Sequence, residues 1–162
     1  AGVVPTLIVD GAPVIECAAL TLLLAERHPE AALEPARGTR ERATYLQWTM
    51  TLANTLQPAF RLWWYPAEGA GEGHEEATQA LAGARIAAVF DRLDAHLAAH
   101  GPYICGDKIS AVDFYATMLM RWSRNMPKPA HEWPALGAYA ARMKARPSFE
   151  TLYQREGLTE WA

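Results

Sequence analysis

Between Ala111 and about Arg124 the sequence reads as one helix with no continuous polar face, because Val112, Tyr115, Ala116, Met118, Leu119 and Met120 point in most directions around its axis. A helix that is apolar all round is stable only when other elements cover it on every side. The remainder of the chain must therefore supply a surrounding shell, and its composition allows one. Apolar residues make up 51% of the 162 residues and charged residues 20%, so the chain has enough apolar surface to offset the entropy of ordering, and disorder is excluded. The length fits one ordinary domain, or one domain with a fragment of another.

The covering elements are legible in outline. Thr6 to Val9 is a β-rich run, Asp10-Gly11 is a two-residue hairpin turn, and Val14-Ile15 continues as a second short strand. From Cys17 to Arg27, Leu20, Leu23 and Leu24 recur at helical spacing until Pro29 stops the pattern. Turn residues from Glu34-Pro35 to Gly38 then mark a boundary, predicting one unit over residues 1–35 and an all-α unit over residues 39–162. Within the second unit a long helix is expected from Thr39 to about Trp64, kinked or broken at Pro58, where the ring removes an amide donor. Gly69, Gly71 and Gly73 predict a flexible loop. A helix from Glu75 to about Ala99 carries Ile86, Val89, Phe90, Leu93 and Leu97 on one face and stops at Gly101-Pro102. Another helix runs from Pro134 to about Arg146, and Phe149 to Tyr153 adds one short turn.

Charge and cysteine content narrow the chemistry. Fifteen Lys and Arg against eighteen Asp and Glu give a net charge of −3, which offers no general attraction for nucleic acid or an anionic membrane. The longest nearly uncharged apolar run, Cys17 to Ala25, is shorter than the roughly 20 residues of a membrane helix. The expectation is a cytoplasmic protein with two reduced thiols, Cys17 and Cys105, and no disulfide framework. His96 and His100 stand four apart on one helix face, a spacing that can chelate zinc, but no metalloprotease Glu accompanies them. They read as a solvated helix end, and no metal is expected.

Ser110-Ala111-Val112-Asp113 fits a capping box, with Ser110 as N-cap and Asp113 reaching back. In its wider setting, Gly101-Pro102-Tyr103-Ile104-Cys105-Gly106-Asp107-Lys108-Ile109-Ser110-Ala111-Val112-Asp113 resembles the segment that opens the central buried helix in the C-terminal domain of glutathione transferases. The N-terminal residues agree independently. Val3-Val4-Pro5-Thr6-Leu7, the Asp10-Gly11 turn, Ile15-Glu16-Cys17-Ala18-Ala19 and Leu23-Leu24-Ala25-Glu26-Arg27-His28-Pro29 are similar to the last portion of that family's thioredoxin-like domain.

The resemblance implies a mainly α protein: a β-hairpin plus helix from a thioredoxin-like domain, followed by an all-α bundle. It implies that glutathione is the co-substrate, transferred to a small apolar electrophile, and that the protein is a homodimer. It places the γ-glutamyl end of glutathione against Glu16 and the helix-terminus amides at Cys17, with Val4, ahead of a cis Pro5, offering backbone to the cysteinyl part. It also places Asn54, Gln57, Phe60, Trp63 and Trp64 around the electrophile's pocket, with core packing or a dimer contact as the competing role of each aromatic. Cys17 stands where relatives usually carry Ser, and reads as a small substitute for it or, alternatively, as a reactive thiol.

Only a few residues precede Val4-Pro5, whereas the family's β-α-β opening needs roughly 30 or more. That opening, with its thiolate-stabilising Ser, Tyr or Cys, is expected to be absent, so the catalytic residue is unknown. The alternative function is a non-catalytic interaction or structural protein built on the same scaffold.

Overall fold

The computed structural model describes residues 2–159 and 161; the outermost residues of the two expected units, Ala1 and Ala162, lie outside them. Two short antiparallel strands, β1 (Thr6–Val9) and β2 (Ala12–Ile15), pair in the register Thr6↔Ile15 to Val9↔Ala12 around the Asp10-Gly11 turn. Both turn residues hold positive φ, 51° at Asp10 and 83° at Gly11, the combination that lets a two-residue turn follow the twist of its strands. Helix α1 (Cys17–Arg27) follows, and Arg27 returns to pair with Asp10, which ties the helix end to the hairpin tip.

After the linker the chain is helical: α2 (Arg40–Thr51), α3 (Gln57–Trp64), α4 (Ala67–Ala70), α5 (Glu75–His100), α6 (Ala111–Trp122), α7 (Pro134–Lys144) and α8 (Pro147–Glu156). The fold is mainly α. Helix α6 sits at its centre, with Val112, Ala116, Leu119 and Met120 inaccessible to solvent. Around it, one core continues through Leu52, Leu56 and Phe60, through Ile86, Phe90 and Leu93 of α5, and through Leu136 and Tyr139 of α7. Ala25 of α1 belongs to the same core, with Cys17, Leu22 and Leu33 packed against it. The hairpin–helix unit is therefore seated on the bundle by apolar contact. A backbone hydrogen bond from the Ala111 amide to the Leu33 carbonyl, 2.9 Å, adds to it.

Four sequence expectations need correction. Pro58 does not break the long helix. The preceding turn, Leu52–Leu56, widens to π-helical form, and the Gln57 amide bonds back to the Leu52 carbonyl. Pro58 itself has no amide to donate back into that turn. The glycine-rich segment is not all loop, since Gly69 lies in α4, where a Cβ would come within 2.6 Å of Thr78 Cγ2. The last segment is a full helix, α8, started by Pro147, rather than one turn. His96 is no solvated end: it is half-buried against the Trp48 ring at 5.3 Å, with its Nε2 2.8 Å from the Ile104 carbonyl.

Polar groups lock the helices together where apolar contact alone would allow sliding. Asp94 of α5 accepts from the Ala135 and Leu136 amides at 2.8 and 2.9 Å, capping α7 from a neighbouring helix. Asp113 is fully buried. Its Oδ2 accepts from the Ser110 amide, 2.7 Å, and the Ser110 hydroxyl, 3.0 Å; its Oδ1 accepts from the Ile104 amide, 3.0 Å, and the Tyr139 hydroxyl, 2.9 Å. Burial pushes this carboxyl above the usual carboxylate range, while the hydrogen bonds favour its ionised form.

Candidate functional site

The hairpin register decides which residues meet. With Thr6 opposite Ile15, Val4-Pro5 enters and Glu16-Cys17 leaves the hairpin at the end away from the turn. The Val4-Pro5 peptide is cis and Val4 is exposed. Glu16 precedes α1 with φ 77° and ψ 110°, a conformation an L-residue adopts only when its surroundings impose it, at a cost of order 1–3 kcal/mol. The first intrahelical bond of α1 runs from the Leu20 amide to the Glu16 carbonyl at 2.9 Å. The amides of residues 17–19 thus have no acceptor within the helix, and its first turn holds no acidic side chain. Exposed Glu16 beside free amides offers a carboxylate for a cation and donors for an anion.

Cys17 does not behave as an activated thiol. Burial raises its pKa, the charge of Glu16 adds to the rise, and a hydrogen bond involving Thr21 only partly offsets them. Cys105 is pushed further, to about 11, again chiefly by burial. A raised thiol pKa lowers the thiolate fraction at neutral pH, which favours the reading of Cys17 as a small substitute for Ser.

The expected pocket residues divide. Phe60 is wholly buried, its ring 6.2 Å from Phe90 and 5.9 Å from Trp122, so it is a core residue and not a pocket wall. Trp63 packs over α5 at Gly83, where a Cβ would come within 2.9 Å of its ring, and its carbonyl accepts from Gln79. Asn54 is exposed in the π-helical turn, and Trp64 is 41% exposed. Gln57 is half-buried, and its Oε1 accepts a hydrogen bond from the hydroxyl of Tyr115.

Tyr115 escapes a reading by spacing, which places it only among the apolar positions of α6. The available signal was chemical: a phenol on an otherwise apolar buried helix needs a partner for its hydroxyl. Burial is the main cause that raises its pKa, and the charges of Cys17 and Glu16 contribute. The Tyr115–Gln57 pair therefore lies close enough to the start of α1 to feel it.

A separate cleft of about 840 Å³ opens between the N-terminal part of α2, the C-terminal part of α5 and residues 104–106, lined by Arg40, Trp48, Arg92, His96, His100 and Cys105 among others. Among the described residues, no group of three or more His, Cys, Asp or Glu side chains could hold a metal ion, and no helix is long and apolar enough to cross a membrane.

Comparison with known proteins settles the family. Residues 48–147, more than half the chain, match the family described as glutathione S-transferase, C-terminal domain. The chain belongs to the glutathione S-transferase family. Among curated members, it is 28% identical over 164 residues to glutathione S-transferase GST-4.5 of Xanthomonas campestris pv. campestris, covering 98% of this chain and 78% of that protein. Among solved members, a glutathione transferase from Methylococcus capsulatus str. Bath matches with a TM-score of 0.85 and 29% identity, over 98% of this chain and 75% of that one. A sphingomonad glutathione S-transferase complexed with glutathione matches with a TM-score of 0.81 and 28% identity, over 98% of this chain and 76% of that one. The matched length includes the hairpin and α1 as well as the helical bundle.

Proposed function

We propose that this chain binds glutathione at the start of α1 and, in its working form, transfers it to a small apolar electrophile as a cytoplasmic homodimer. The observation that carries the reading is the convergence of the Val4-Pro5 step, Glu16 and the free α1 amides at one end of the hairpin. Likeness to a transferase complexed with glutathione supports it. Glu16 faces the glutamyl ammonium, the amides of residues 17–19 receive the glutamyl carboxylate, and the Val4 backbone receives the cysteinyl part. The sulfur then points toward α3, where Trp64 offers an apolar wall. Leu46 and Met50, one turn apart on α2, and Leu81 on α5 leave apolar side chains exposed, which favours a second copy as their cover.

Glu16 allows a test in which binding and stability move in opposite directions. Calorimetric titration with glutathione is expected to show about fivefold weaker binding in both Glu16→Ala and Glu16→Gly, the scale of one exposed ion pair. Glu16→Gly relaxes the strained backbone. It should gain about 1 kcal/mol in denaturant unfolding after the entropy of an added glycine is subtracted, whereas Glu16→Ala should gain nothing. Glutathione binding that is unchanged in both variants would place the site elsewhere, and no binding by the unsubstituted chain would favour the non-catalytic alternative.

A further inference from the structure

The cleft of about 840 Å³ between α2 and α5 gathers positive charge in a chain whose net charge is −3. Arg40, Thr44 and Trp48 stand four apart along α2, and Arg92, His96 and His100 stand four apart along α5, so each helix turns one stripe of its surface to the cleft. Among the described residues, Glu41 is the one carboxylate in that lining. The floor is braced. Trp48 is 4% exposed, with the His96 ring 5.3 Å and the Arg92 guanidinium 5.8 Å from its own ring, and His96 is held in turn by its contact with the Ile104 carbonyl.

The two arginines are not explained by the stability of their helices. Among the described residues neither guanidinium has a carboxylate partner, and no acidic residue stands three or four positions from Arg40 or Arg92 along its helix. Arg40 is the first residue of α2, the end at which the helix dipole favours an anion and disfavours a cation. His100, in the last turn of α5, is what the dipole there favours, so the unexplained charges are the two guanidiniums.

We propose that this cleft binds a diphosphate group, held by Arg40 from one helix and Arg92 from the other. A guanidinium grips phosphate oxygens two at a time. A diphosphate presents separate pairs of oxygens to two forks arriving from different helices, which a single carboxylate cannot do. Thr44 supplies a hydroxyl donor in the same lining. Inorganic pyrophosphate and its organic esters share this chemistry, and the volume, in the range of sites that take drug-sized ligands, favours an ester. The start of α1 takes no part, so this site stands or falls apart from the glutathione reading.

The test is calorimetric titration of the full chain, at fixed ionic strength and without divalent metal, with inorganic pyrophosphate, adenosine diphosphate and citrate. The unsubstituted protein is compared with Arg40→Gln, Arg92→Gln and Arg155→Gln. Both diphosphates are expected to bind one to one, and citrate, which brings charge without phosphate geometry, at least about tenfold more weakly. Tighter binding of adenosine diphosphate assigns the site to esters, and tighter binding of pyrophosphate assigns it to the inorganic ion. Arg40→Gln and Arg92→Gln should each weaken diphosphate binding about fivefold, the scale of one exposed ion pair. Arg155, exposed on α8 and outside the cleft, sets the control, and its replacement should change nothing. Arg40 and Arg92 are exposed as well, so their variants keep the fold, which circular dichroism checks. No diphosphate binding by the unsubstituted chain, citrate binding as tight as diphosphate, or an equal loss in Arg155→Gln would overturn the site.

Discussion

Replacing Asp113 with alanine is expected to destabilise the protein by about 3 to 5 kcal/mol, measured as the fall in unfolding free energy in urea. Read from the sequence alone, Asp113 is a helix-capping residue, and the loss of a cap costs about 0.5 to 2 kcal/mol. The structure makes it the hub of a buried network instead. Its two oxygens receive the Ile104 amide, the Ser110 amide and hydroxyl, and the Tyr139 hydroxyl, with no solvent access. Alanine leaves those donors without an acceptor, and each buried donor left unpaired costs about 1 to 3 kcal/mol. The sum falls short of full additivity because the Ser110 hydroxyl can rotate and water can enter the vacated space. Asp113→Asn retains one acceptor oxygen and should lose an intermediate amount. A loss below about 1 kcal/mol in the alanine variant would reduce Asp113 to an ordinary cap.

Phe60→Ala is expected to cost a similar amount, about 3 to 5 kcal/mol, as for other large-to-small replacements of buried aromatics. Phe60 is closed off between Phe90 and Trp122, so the cavity opens inside the bundle rather than in a ligand pocket. Its unfolding midpoint should drop sharply while the glutathione affinity of the folded fraction is unchanged. Trp64, which is 41% exposed, sets the contrast: its replacement should alter stability by no more than about 0.5 kcal/mol. Unchanged stability in Phe60→Ala would return the ring to the pocket.

These two residues also show where sequence reasoning stops. The all-round apolar character of residues 111–122 demanded a central helix, and α6 is that helix. The Asp10-Gly11 turn and the Pro29 stop placed the hairpin and α1, because turn chemistry and a missing amide act locally. Phe60 and Trp63 could not be assigned from spacing, since an aromatic at the end of a helix packs inward or faces a ligand according to what the next helix offers. Here α5 offers Phe90 and the bare backbone at Gly83. The hub role of Asp113 depended on Tyr139, 26 residues further along, and the Tyr115–Gln57 pair spans 58 residues; neither separation leaves a local trace. The π-helical turn likewise answers Pro58 in a way that propensity does not forecast. Legibility was greatest where one residue's covalent nature decided the outcome, and least where two distant side chains had to meet.

The central claim is that the start of α1, and not another surface, receives glutathione. It is tested most directly by following the backbone amide resonances of the full chain during titration with glutathione. The account predicts that the largest shifts fall on Glu16, Cys17, Ala18 and Ala19, with smaller ones at Val4 and at the Gln57 side-chain amide. Shifts concentrated instead on Arg40, Arg92, His96 and His100, which line the cleft between α2 and α5, would contradict it.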